Sequence, residues 1–207
     1  MDDGSPCDQG PEAEPAGLQV DARGPTLRTD RLVLRRWTPA DREPFAALNA
    51  DPVVMEHFPA PLSSAESDAL VDRIEANFDR CGYGLWAVEV PTVTRFAGYV
   101  GLADAGFEAP FTPALEIGWR LGQAWWGRGI ATEAARAVLQ LAFTDLNRSE
   151  IVSFTAASNL RSQAVMMRLG MHRDPAEDFE HPRVPADSPV RHHVLYRLGA
   201  QEWLGAA

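Results

Sequence analysis

The run Trp126-Gly127-Arg128-Gly129-Ile130-Ala131-Thr132-Glu133-Ala134 constrains this chain more than any other stretch of it. It follows the apolar segment Leu115 to Leu121 and opens a segment in which Ile130, Ala134, Val138 and Leu141 recur at helical spacing. A strand that turns through two closely spaced glycines into a helix builds an anion site. The first amides of the helix lack intrahelical acceptors, and the peptide dipoles add partial positive charge at that end. Gly127 and Gly129 let the backbone approach a ligand with no Cβ in the way. The segment is expected to hold a phosphate or a diphosphate.

Known phosphate loops narrow the choice. The chain contains no lysine, which excludes the G-x-x-x-x-G-K-[ST] loop. A dinucleotide fingerprint needs a third Gly or Ala where Thr132 stands, and no βαβ unit precedes it. A third pattern, [QR]-x-x-G-x-[GA] between an antiparallel strand and a helix, fits except at its first position. That position falls at Ala124, with Gln123 one place early.

Two blocks now carry a resemblance. One is Glu116-Ile117-Gly118-Trp119-Arg120-Leu121 running into Trp126–Ala134. The other, about 30 residues on, is Ser158-Asn159-Leu160-Arg161-Ser162-Gln163-Ala164-Val165-Met166-Met167-Arg168-Leu169-Gly170-Met171. Together they resemble the coenzyme A-binding core of the GNAT acetyltransferases, in the subgroup that includes the RimJ/RimL ribosomal-protein N-terminal acetyltransferases. The resemblance extends more weakly from about Leu27 to Trp203.

The periodicities read independently as strands over Leu32 to Arg35, Leu85 to Val90, Phe96 to Leu102, Leu115 to Leu121, Glu150 to Ala156 and Arg191 to Leu198. Helices are expected from Thr38-Pro39, from Ser63 or Ser64, from the glycine turn to about Asp145, and over Asn159 to Leu169. Antiparallel strands followed by a βαβα segment indicate a mixed α+β sheet. The resemblance implies the GNAT fold: a mostly antiparallel twisted sheet of six or seven strands, about four helices, and a V-shaped split between strands four and five. That split would receive the pantetheine arm.

The domain is expected to span 25–207, after an acidic tail over 1–24. The net charge of the chain is −10, and residues 1–24 carry six acids against Arg23, or −5 of it. The tail has too little apolar surface to fold alone. An acidic chain without a basic patch is a poor nucleic-acid ligand and suits cationic substrates such as amines. Two cysteines cannot build a cysteine-only metal cluster, and no metal is expected. No apolar run reaches the ~18 residues of a membrane helix, and Met1 to Pro6 lacks the marks of a signal peptide, so no membrane association and a cytoplasmic location are expected. A homodimer remains open.

The activity implied by the resemblance is transfer of an acetyl group from acetyl-CoA, as co-substrate, to a primary amine by direct attack. The amine could belong to a protein N-terminus or to a small molecule. The alternative is a CoA- or acyl-CoA-binding module without catalysis. The diphosphate would sit on the amides of Gly127, Arg128, Gly129, Ile130 and Ala131 beside Trp126, with the main chain of Trp119 and Leu121 along the pantetheine. Asn159 would contact the pantetheine amide, although Asn at that place is also a good N-cap. Ser162, in place of the tyrosine many GNAT enzymes use, would protonate the departing thiolate. Glu116 would be the base, with His57 and His193 as alternatives, and a salt bridge to Arg120 would be its structural role instead. His57, Tyr83 and Trp86, with Met55 and Phe58, would line the acceptor pocket.

Overall fold

The computed structural model describes residues 24–205, so the acidic tail expected at 1–24 lies outside the described residues except for Gly24. β1 (Leu27–Arg28) and β2 (Val33–Arg35) form a short hairpin. A 3-10 turn at Pro39–Asp41 leads into α1 (Arg42–Ala50). Thr38 stands where the sequence places a cap, and its N–H and hydroxyl both donate to Asp41 Oδ2, at 2.7 and 2.8 Å. α2 (Ser64–Cys81) starts from a reciprocal cap. Glu66 N–H donates to Ser63 Oγ at 3.3 Å, and Ser63 N–H donates to Glu66 Oε2 at 2.8 Å. Val71, Ile74 and Phe78 form its buried stripe.

The remaining elements are β3 (Leu85–Val90), β4 (Thr94–Asp104), β5 (Leu115–Leu121), α3 (Ile130–Thr144), β6 (Glu150–Ala156), α4 (Leu160–Arg168), β7 (Phe179–Glu180), β8 (His192–Gly199) and α5 (Ala200–Gly205). The strands form one sheet in the order β1-β2-β3-β4-β5-β6-β8-β7. It has eight strands where six or seven are expected, because β1 and β7 span two residues each and are too short to show alternation. α5, directly after β8, raises the helices to five among the described residues.

β5 is the pivot of the sheet. On one side it pairs with β4 along its whole length, from Gly98↔Leu121 to Asp104↔Leu115. On the other it runs parallel to β6 and is in register only at Glu116↔Val152. β6 then pairs with β8 throughout, from Glu150↔Gly199 to Ala156↔His193. Two zipped half-sheets therefore meet at one residue pair and diverge beyond it. This is the V expected between strands four and five; β1 moves the count by one. Packing sorts the helices into pairs, α1 with α2 and α3 with α4.

Candidate active site

Leaving β5, Gln123–Trp125 make a single 3-10 turn, and the Trp126 indole N–H donates back to Leu121 O at 2.8 Å. Gly127 and Gly129 then take φ of +70° and +78°, a region that residues with a Cβ avoid. Gly129 is the N-cap of α3. Glu133 N–H closes the first turn on Gly129 O at 2.9 Å. The amides of Ile130, Ala131 and Thr132 precede it and have no intrahelical acceptor. These residues and both glycines border a cleft of about 1120 Å³. A Cβ on Gly127 would meet no protein atom within 4 Å. The space it would enter is what a diphosphate needs, so the turn fits the group the sequence implies.

The Arg128 guanidinium lies 5.5 Å from the Trp125 ring centroid. Gln123, one place early in its motif, donates to Asp51 Oδ2 at 2.7 Å instead of reaching the turn. The cation beside the turn is Arg31, from the β1–β2 hairpin. Its NH1 donates to Arg128 O at 3.2 Å, and its NH2 lies 3.4 Å from where a Cβ on Gly129 would stand. Glu133 of α3 holds it, through Nε to Oε2 at 2.6 Å, while the Thr29 hydroxyl donates to Oε1 at 2.5 Å. Burial alone would raise the Glu133 carboxyl; the hydrogen bonds from Thr29 and Arg31 outweigh it and hold the group below the usual range. The pairing offsets a negative charge that would otherwise repel an incoming phosphate. No local pattern joins Arg31 to the glycine turn, so only the tertiary structure reveals it.

Past Glu116↔Val152 the edge of β5 borders the cleft, and Trp119 and Leu121 lie there as expected. Leu121 O is already an acceptor for the Trp126 indole. The Trp119 indole N–H donates to Ser162 Oγ at 3.2 Å. Asn159 caps α4: its Oδ1 accepts from Ser162 N–H at 3.1 Å, and its Nδ2 donates to Thr155 Oγ1 at 2.9 Å. The capping role is therefore filled, and one Nδ2 hydrogen remains for a ligand. Trp126 forms part of the wall, and the Arg161 guanidinium lies 4.7 Å from its ring centroid.

Glu116 sits where the two half-sheets touch. Burial pushes its carboxyl from an ordinary value of 4.5 up to about 8, although part of its surface stays open to the cleft. No hydrogen bond or ion pair engages the carboxylate among the described residues. The salt bridge to Arg120 is not formed: Arg120 donates to Asn49 Oδ1 at 2.5 Å instead. Ser153 Oγ, on the facing strand, donates to Ile117 O at 2.8 Å and ties the apex.

Beyond the apex the wall is aromatic. The Phe107 and His181 rings lie 4.6 Å apart between centroids, His181 and His193 4.8 Å, and Phe107 and Phe154 5.5 Å. Burial, and next the neighbouring His193, lower the His181 imidazole to about 4. Burial lowers His193 as well, and its Nδ1 lies 3.0 Å from Arg191 O. Arg183 donates to Gly106 O and so joins the loop after β4 to the loop before β8. Sequence reading missed Phe107, Phe154 and His181, which come from separate segments with no shared periodicity.

The expected acceptor residues divide. His57 and Phe58 border the cleft; His57 Nδ1 is 3.2 Å from Ser158 Oγ, and burial lowers its pKa. Tyr83 and Trp86 do not. Both are buried, Trp86 donates from its indole to Pro25 O at 2.8 Å, and its ring meets Phe78 edge-on at 5.1 Å. They are core residues beneath α2, and Met55 is buried as well. Charge also departs from expectation. In a chain of net charge −10, the cleft is bordered by Arg120, Arg161, Arg168 and Arg183 against Asp104 and Glu116. Among the described residues no group of three His, Cys, Asp or Glu is placed to hold a metal, and no helix is long and apolar enough to cross a membrane.

Residues 31–172 match the family model of the acetyltransferase (GNAT) domain. The FsC-acetyl coenzyme A-N(2)-transacetylase of Aspergillus fumigatus is 29% identical over 196 residues, covering 87% of this chain and 78% of that protein. The [ribosomal protein uS5]-alanine N-acetyltransferase of Escherichia coli is 24% identical over 189 residues, covering 86% and 92%. The crystal structure of an acetyltransferase from Agrobacterium tumefaciens str. C58 superposes with a TM-score of 0.67 at 28% identity, covering 91% of this chain and 99% of that one.

Proposed function

The chain belongs to the GNAT acetyltransferase family, and from that premise we propose that its cleft transfers an acetyl group from acetyl-CoA to a primary amine, with Glu116 as base and Ser162 as proton donor. One observation carries the reading. Glu116 at the apex, Ser162 on one wall and the Gly127–Gly129 turn at the mouth all border the same open seam between β5 and β6.

Acetyl-CoA would supply an activated thioester. The amides of Gly129, Ile130 and Ala131 would hold its diphosphate, with Arg31 adding a cation from the side. The edge of β5 at Trp119, with Asn159 opposite, would orient the arm. Glu116 would accept the ammonium proton. A carboxyl near 8 matches an α-amine, itself near 8, far better than a lysine-like amine near 10.4. Ser162 would donate its O–H to the departing sulfur, because the Trp119 indole already occupies a lone pair on Oγ.

The N-x-x-S arrangement of Asn159 and Ser162 supports a RimJ/RimL-like reading of the chain, with the cytoplasm as its place of work. Calorimetry with acetyl-CoA, followed by a thiol-release assay over a panel of amines, tests the proposal. Binding with turnover supports it. Binding without turnover on any amine leaves only the carrier-module alternative.

A further inference from the structure

Arg120 is a shielded cation that lacks a counter-ion among the described residues. Its residue surface is 8% exposed, yet no carboxylate pairs with it among the described residues. Other shielded arginines here behave differently: Arg35 pairs with Asp41 and Glu89, and Arg197 with Glu150 and Glu177. The one hydrogen bond of Arg120 goes to Asn49 Oδ1 at 2.5 Å, a neutral acceptor. Asn49 is fixed in turn by donating to Ser67 Oγ at 2.9 Å, and both residues are fully buried. The guanidinium lies 4.1 Å from the Phe58 ring centroid and 5.5 Å from that of Tyr99. Its Nε is buried with no hydrogen-bond partner. A buried cation held by rings and one amide, and left open to a cleft, lacks its counter-ion.

The alternation of β5 says which ligand would bring that counter-ion. Adjacent strand residues point to opposite faces. Trp119 reaches Ser162 on α4, and Arg120 reaches Asn49 on α1. Glu116, Gly118 and Arg120 therefore share the α1 face, away from the helix whose first turn forms the diphosphate cradle. Gly118 leaves the space between the two charged residues clear. A Cβ there would meet only Glu116 Oε1, at 3.6 Å, so the carboxyl leans along the strand toward Arg120.

We propose that Arg120 receives a carboxylate carried by the acceptor, so that the acceptor is an amino-acid-like molecule held with its amine at Glu116 and its acid group at Arg120. This rests on the acetyl-transfer reading above and adds the substrate class to it. The site would thus choose among amines by the charge beside them. A polyamine or an aminoglycoside, which brings only cations, would leave Arg120 unanswered.

The test compares free amino acids with their C-terminal amides as acceptors, followed by thiol release from acetyl-CoA. Amidation lowers the pKa of the α-amine and makes it more often neutral, so a preference for the acid cannot come from amine reactivity. The wild-type protein is expected to favour the best free acid by roughly 30-fold in kcat/KM. R120Q should erase that preference, acting on the acid and changing the amide by less than about threefold, and R120K should restore part of it. Acetyl-CoA affinity in R120Q should stay within about threefold of wild type. Equal turnover of acid and amide by the wild-type protein would overturn the proposal, and that comparison stands even if R120Q does not fold. Equal losses on both substrates, or a tenfold loss of acetyl-CoA affinity, would also overturn it; the latter would make a coenzyme phosphate the anion. Efficient turnover of a peptide N-terminus with neutral flanking residues would exclude the amino-acid class while leaving acetyl transfer intact. No thiol release with any amine would remove the acetyl-transfer reading itself.

Discussion

The Trp119 indole N–H reaches the Ser162 hydroxyl oxygen across 3.2 Å, from the edge of β5 to the first turn of α4. It bridges the open seam and leaves the hydroxyl proton free to turn toward a sulfur lying between the strands. Ser162→Ala is expected to slow acetyl transfer at least about tenfold, with acetyl-CoA affinity nearly unchanged. Trp119→Phe keeps the ring and loses the donor, so its rate should fall by a smaller factor, roughly three- to tenfold. Single-turnover thiol release and calorimetry on both variants check this; an unaltered S162A rate removes Ser162 from the mechanism.

Gly129→Val should lose acetyl-CoA binding. At φ +78° a β-branched residue costs about 1–3 kcal/mol of strain, and its methyl groups would enter the cradle or push Arg31 aside. Gly127→Ala separates the two effects. Its Cβ meets no protein atom, so any loss of affinity beyond the loss of folding stability reports a clash with the ligand. Calorimetric affinity read beside thermal melting distinguishes them, and full affinity in both variants would place the phosphates elsewhere.

Glu116 sets the expected pH behaviour. Its carboxyl titrates near 8 in the folded chain against an ordinary 4.5, so the basic form accumulates as pH rises through about 8. Turnover should climb over that interval, and Glu116→Gln should flatten the profile and lower the plateau by roughly 10²–10⁴-fold. The stability consequence follows from the same shift. The folded state holds the proton that the unfolded chain releases above about 4.5, so this stabilising contribution is full at lower pH and is lost as pH rises toward 8. Glu116→Gln should therefore melt higher relative to wild type at about pH 9 than at about pH 4. A constant difference in Tm across that range would contradict the shift.

Arg31→Ala should weaken acetyl-CoA binding by about three- to tenfold, a modest factor because the side chain is half exposed. The loss should shrink when Glu133→Ala is added, since the first substitution leaves an unneutralised carboxylate near the cradle. A double-mutant cycle on affinity, repeated at high salt, measures the coupling. Additive losses would mean that the pair only anchors the hairpin.

Much of this arrangement was legible in the chain itself. The glycine turn, the Thr38 start of the turn into α1, the cap of α2 and the strand at β5 depend on local spacing and local hydrogen bonds, which a sequence displays, whereas the seam beside β5 was implied only by the family resemblance. Tyr83 and Trp86 were misjudged because an aromatic residue looks alike whether it lines a pocket or fills a core; only its position beneath α2 decides. Arg31, His181 and the phenylalanines were missed because they converge from separate segments. Arg120 read as a salt-bridge partner for Glu116 because i and i+4 share a strand face, but about 13 Å of strand separates two such positions. The charge of the cleft was hidden too: the sum over a whole chain says little about the sign inside one of its hollows.

The single registered contact between β5 and β6 has a mechanical consequence. A continuous sheet resists bending across its strands, whereas this one has a crease. The empty protein should exchange its backbone hydrogens fastest along that crease and breathe there first when warmed. A donor molecule laid into it would act as a splint, slowing exchange on both lips at once and making the two halves melt as one body.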